Sequence, residues 1–205
     1  MARLNVSLIA LIALVLGALA SPAWAGAPTD ALQGYVTRVL AVLEDPAMRE
    51  PRNVAARHKA VRAIADEGFD FQEASRRTLG AAWEARTPAE RARFVELFTG
   101  LIDGGYFSKV AGYNGEKISY DTETMTGNEA VVPVKVTTKS GKVTPVVFRL
   151  VKNAEGRWRV YDAAFEGMSL VTNYRAQFAR VLKNGSYQEL VTKLEERVEA
   201  LRKPQ

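Results

Sequence analysis

Few residues in this chain have types and spacing that could do chemistry. Its one histidine, His58, sits between Arg57 and Lys59 in a helical stretch. That basic, solvated setting suits a surface residue better than a general base. With one histidine and no cysteine, the usual ligand sets of a structural zinc site cannot be assembled. Ser169 follows Gly167 but lacks the second glycine of a G-x-S-x-G elbow. Neither of the glycine-rich phosphate loops, G-x-x-x-x-G-K-S/T or G-x-G-x-x-G, occurs. Asp162 is left. It alternates with Trp158 and Val160, which would set a carboxylate on an apolar strand face, a rare place for a charge unless it is paired. As a general acid or base it would need a second catalytic group, and none is evident. As a paired or backbone-bonded acid it would pin the end of the strand.

The elements that would position these residues follow an exported-protein pattern. Arg3, the uncharged run Leu8 to Leu19 and the A-x-A site Ala23-Trp24-Ala25 read as a cleavable signal peptide over residues 1–25. The run is shorter than the roughly 20 residues needed to span a bilayer. Residues 26–205 read as one domain: helical over 29–110, a sheet over 116–165, and closing helices over 169–202. The composition, 47% hydrophobic and 25% charged, is that of a globular chain. Its formal charge of +5 favours anionic surfaces, but no basic run with interleaved aromatics points to nucleic acid.

Leu32, Val36, Val39, Leu40 and Leu43 share a helical face, with Thr29 or Asp30 as cap and Pro46 as stop. A second helix is expected over 52–67, and a short third from Phe69-Asp70-Phe71 to Gly80. Thr87-Pro88-Ala89-Glu90 is a capping box with proline at the first helical position, opening a helix that carries Phe94, Leu97, Phe98, Leu101 and Ile102 toward Tyr106. The period then changes from 3.6 to 2. Ile118-Tyr120-Thr122, Ala130 to Val136, Val146 to Leu150 and Trp158 to Asp162 alternate between short turns, so they pair antiparallel as a four-stranded meander. Two amphipathic helices follow, the second opened by a capping box at Ser186-Tyr187-Gln188-Glu189. The fold class is α+β.

Several segments, in order, resemble the MlaC family, also called toluene-tolerance or Ttg2-type proteins. They are Phe69-Asp70-Phe71 with Ser75 to Gly80 and Trp83, Thr87-Pro88 with Arg93 to Phe98, Tyr106, and Tyr113 to Glu116. The most specific is Trp158-Arg159-Val160-Tyr161-Asp162 continuing through Glu166 to Val171, Asn173-Tyr174-Arg175 and Gln177-Phe178. The resemblance implies an NTF2-like fold, with the curved four-stranded meander and its helices enclosing an apolar pocket for acyl tails. It also implies a periplasmic, monomeric carrier whose only ligand is the transported phospholipid. Its partners would be an inner-membrane MCE-domain/ABC transporter complex and an outer-membrane lipoprotein–porin complex. No metal, cofactor, catalytic residue or nucleic acid would be involved, and the system would maintain outer-membrane lipid asymmetry. Carried onto this sequence, the wall of the pocket would be Trp83, Phe94, Phe98, Ile102 and Tyr106 from the helices, and Val132, Val134, Val146, Phe148 and Val160 from the strands. Leu170, Tyr174 and Phe178 would complete it.

The energetics fit a carrier. Two tails of about 30 methylenes would cost roughly 24 kcal/mol to expose to water, so a shuttle must enclose them. An empty pocket of about 1,000 Å³ would cost a similar amount, more than the roughly 5–15 kcal/mol that holds a domain together. The lipid-free form is therefore expected to close up in part, or the protein to purify with lipid. A charged residue at Val134 or Phe148 should abolish loading. The alternatives are a carrier of another apolar lipid, such as a hopanoid, a small NTF2-like enzyme using Asp162, and a periplasmic scaffold without ligand, which a solid core would support.

Overall fold

Proline starts and side-chain caps set most of the helix boundaries in the computed structural model, which describes residues 27–107 and 113–202. The expected signal peptide lies outside the described residues. No described helix is long and apolar enough to cross a membrane. Helix α1 spans Pro28–Glu44. It starts at the proline, ahead of the expected caps, because Thr29 is engaged elsewhere: its amide (2.7 Å) and its hydroxyl both donate to Glu123 across the molecule. A single turn, α2 (Pro46–Arg49), leads into α3 (Val54–Gly68). Helix α4 (Phe71–Leu79) is capped by Asp70, which accepts from the Glu73 amide, and is ended by Gly80 at φ +62°, a conformation that glycine adopts without steric cost.

Helix α5 (Pro88–Ile102) carries the full capping box, Thr87 and Glu90 each binding the other's amide, a feature worth about 1 kcal/mol. It does not simply end. Residues Asp103–Phe107 continue it as a π-helical turn, a local widening that recurs at functional sites. After the sheet come α6 (Leu170–Asn184) and α7 (Tyr187–Arg202). Helix α7 packs closely on α5 because two glycines face it. A Cβ on Gly100 would lie 3.1 Å from Val198, and one on Gly104 would lie 2.8 Å from Leu201.

The meander is present, with its first strand broken and a sixth strand added. Strands β1 (Lys117–Tyr120) and β2 (Thr124–Thr126) both pair with β3 (Glu129–Thr137), which pairs with β4 (Val143–Lys152) and through it with β5 (Trp158–Phe165). The two-residue β6 (Met168–Ser169) adds to β5, and every pairing is antiparallel. Thr122 therefore falls between strands. On one face, Ala130, Val132 and Val134 of β3 stand opposite Leu150, Phe148 and Val146 of β4. The helices cover this face, and a single apolar cluster fills the layer between. The outer edge of β5 is tied to the helices where the Asp70 amide donates to the Val160 carbonyl at 2.7 Å.

Candidate functional site

Register decides what Asp162 can do. The β4–β5 ladder pairs Arg149 with Asp162 and Leu150 with Val160, so Tyr161 is an extra residue in a bulge. A bulge shifts the alternation by one. Asp162 therefore does not share the face of Trp158 and Val160, as simple alternation implied. It is buried, and it accepts from Arg149 Nη1 at 2.9 Å, Ser169 Oγ at 2.7 Å and the Val171 amide at 3.0 Å. These bonds seat the start of α6 on the sheet. Asp162 is thereby a structural pin between sheet and helix.

Beside it, Arg77 of α4 lies 3.9 Å from the centre of the Tyr161 ring and bonds Glu73 and Glu129 at 2.6 Å each. Burial alone would push the Arg77 guanidinium down, but hydrogen bonds to Glu129 and Glu73 hold it above its ordinary value. Glu129 is held below 4.5 by Arg77. Burial works to raise Glu73, and hydrogen bonds from Arg76 and Arg77 outweigh it, so Glu73 also lies below 4.5.

His58 is half-exposed, with Nε2 at 3.2 Å from Asp103 Oδ1. Together with Arg62, Glu96, Thr99, Leu201 and Arg202 it lines a groove of about 480 Å³. Five of its lining residues are ionisable, two of them paired as Arg62–Asp103 at 3.6 Å, so it is a poor receptacle for an acyl chain. Among the described residues, no group of three or more acids and histidines is placed to hold a metal.

All thirteen residues proposed from sequence as pocket wall fall within one apolar cluster. Ten are buried, and Tyr106, Phe148 and Tyr174 are half-buried at its margin. Their centre is a ladder of rings between α5 and α6. Phe94 stands edge-on to Phe178 (centroids 5.8 Å apart, 84°), Phe98 edge-on to Tyr174 (5.6 Å, 87°), and Tyr174 next to Phe178 (5.7 Å). These are the preferred separations for aromatic pairs. Burial, with the Tyr106 hydroxyl hydrogen-bonded alongside, pushes the Tyr174 phenol up to about 12. Val132, Val134, Val146 and Val160 of the sheet, with Leu170 and Trp83, belong to the same cluster. Sequence reasoning missed Phe165. Because the bulge restores the alternation one residue later, Phe165 stands opposite Val146 on the inner face. There it stacks on Tyr106 with centroids 6.5 Å apart.

Residues 33–196 match the family described as MlaC protein. The chain belongs to the MlaC family. It is 29% identical over 162 residues to the toluene tolerance protein ttg2D of Pseudomonas putida, covering 78% of this chain and 75% of that one. It is 24% identical over 131 residues to the intermembrane phospholipid transport system binding protein MlaC of Haemophilus influenzae, covering 62% and 61% of the two chains. Its fold superposes on the phospholipid-binding protein of Ralstonia solanacearum, solved in complex with a phospholipid, with a TM-score of 0.77 and 25% identity. That match covers 87% of this chain and all of the other. The arrangement of sheet and helices is therefore the α+β fold of this family's phospholipid-binding proteins.

Proposed function

We propose that the chain is a periplasmic phospholipid carrier, exported by residues 1–25, that exchanges lipid between an outer-membrane lipoprotein–porin complex and an inner-membrane MCE-domain/ABC transporter. The observation that carries this reading is the continuous apolar cluster between sheet and helices, in a fold shared with a protein solved in complex with a phospholipid. The acyl tails take the place of ring–ring contacts along Phe94, Phe98, Tyr174 and Phe178, with Val134, Val146 and Phe148 as the sheet side of the pocket. Leaving a bilayer for this cluster exchanges one apolar medium for another, so little net free energy is needed and transfer can run either way. The remaining wall residues, Trp83, Ile102, Tyr106, Val132, Val160 and Leu170, fix the length and shape of the space.

The test is native mass spectrometry of the full chain purified from periplasm without detergent, followed by lipid extraction. Bound masses of one or two phospholipids are expected. A hopanoid mass would replace the ligand class, and a bare protein that takes up nothing from liposomes would overturn the carrier reading.

A further inference from the structure

Among the described rings of the ladder, Phe165 is the most exposed. Phe94, at the ladder's inner end, is fully buried, and the line runs through Phe178, Phe98 and Tyr174 to Tyr106 and then to Phe165, which is 42% exposed. Met168, exposed by 65%, pairs with Phe165 on β6. Tyr106 and Phe165 touch only loosely: their rings are nearly parallel at 6.5 Å, close to the outer limit for an aromatic pair.

The two sides of that contact are built differently. Phe165 sits on a hairpin held by the three bonds of buried Asp162 and by the Glu166 amide on the Pro145 carbonyl at 3.1 Å. Its turn is fixed by Glu166 and Gly167, both at positive φ. Tyr106 sits on the π turn Asp103–Phe107, behind Gly104 and Gly105. Gly104 is wedged against Leu201, but a Cβ on Gly105 would meet nothing within 4 Å. A widened helical turn with a free glycine changes its backbone angles at low cost.

We infer that acyl chains enter the protein between Tyr106 and the Phe165–Met168 hairpin, with the π turn as the side that moves and the hairpin as the side that stays. This rests on the carrier reading. An incoming tail first meets the exposed Phe165 and Met168, then parts the two stacked rings and breaks the Tyr106–Tyr174 hydroxyl contact. From there it runs down the ladder in continuous apolar contact. The entrance thus selects for a flexible hydrocarbon chain, one that can thread past a ring, over a rigid polycyclic lipid of the same apolar area.

The test is the rate at which the full chain takes up and returns a pyrene-acyl phosphatidylglycerol. The probe is present as a trace in phosphatidylethanolamine–phosphatidylglycerol vesicles. Gly105→Ala, which stiffens the turn without a clash, should slow uptake and release together by about fivefold, the weight of that change in a helix, at unchanged final occupancy. Tyr106→Ala should speed both, and Tyr106→Phe, which keeps the ring and loses the hydroxyl, should speed them less. Met125→Ser, on an exposed apolar residue of β2 at the other end of the sheet, should change neither. Unaltered rates in all three entrance variants, each with wild-type circular dichroism, would overturn the portal while leaving the carrier reading intact. An effect of Met125→Ser as large as that of Tyr106→Ala would do the same. A wild-type protein that takes up no lipid would overturn the carrier reading, and the portal with it.

Discussion

Two regions of this molecule are held together by opposite means. Around β5, α4 and the start of α6, side chains are locked by directional bonds: Asp162 to three donors, Arg77 to two carboxylates and a ring. Between α5 and α6, aromatic rings touch edge to face within the apolar cluster and are held mainly by non-directional packing. A hydrogen bond fails steeply with angle and distance. A ring contact loses a fraction of a kcal/mol per atom pair when it slides, and a hydrocarbon tail can replace it. The difference teaches where a carrier can afford to change. The polar region keeps sheet and helices in register while the ring region exchanges its own contacts for those of a ligand.

The sharpest way to break this comparison is Asp162→Ala. It strands a buried amide at Val171 and frees Arg149 and Ser169, at an expected cost of about 3–5 kcal/mol in urea unfolding. Asp162→Asn, which can still accept from Val171, should cost about half. The folded fraction of either variant should still carry lipid. Loss of lipid at unchanged stability would instead give Asp162 a functional role. Phe98→Leu should cost about 1–2 kcal/mol in lipid-free protein and less in lipid-loaded protein, because an acyl chain fills the space the ring leaves. Equal costs in the two states, read from urea midpoints, would mean that the ladder is as fixed as the polar region.

The sequence makes the two regions legible to different degrees. The capping box at Thr87, the Ser186 hydroxyl on the Glu189 amide and the stop at Gly80 are local, so their residues alone announce them. The ladder was legible too, because Phe94, Phe98, Tyr174 and Phe178 recur at helical spacing. What periodicity cannot say is whether such a stripe meets more protein or a ligand, since both are apolar. The bulge at Tyr161 was not legible: it depends on where β5 meets β4, a contact between distant segments. That one inserted residue moved Asp162 off the apolar face and brought Phe165 onto it. The π turn was hidden for a related reason, since Gly104 and Gly105 read as an ordinary helix end until the packing of Leu201 is known. Pro28 displaced the expected caps of α1 because Glu123, nearly a hundred residues away, takes up Thr29.

The finest contrast between the regions is their response to pH, and the signs are opposite. Glu73 and Glu129 lie below their ordinary 4.5 in the folded protein. Their contribution is present above that value and is lost as pH falls through the lowered folded values, when protonation disengages Arg77. Tyr174 is raised from 10 to about 12 by burial. Its contribution is present below pH 10 and is lost as pH rises from there toward 12, when the unfolded chain ionises first. Urea midpoints measured across both windows should therefore fall at each end. Arg77→Gln should remove a share of the acid limb, since Arg76 still bonds Glu73 and Glu67 and Glu90 are lowered by other partners. Tyr174→Phe should remove a share of the alkaline limb, since Tyr120, Tyr161 and Tyr187 are raised as well. If bound lipid lines the ladder, saturating the protein with phospholipid should change the alkaline limb and leave the acid limb as it was. A lipid effect confined to the acid limb would place the tails against the polar region and reverse the assignment of the two halves.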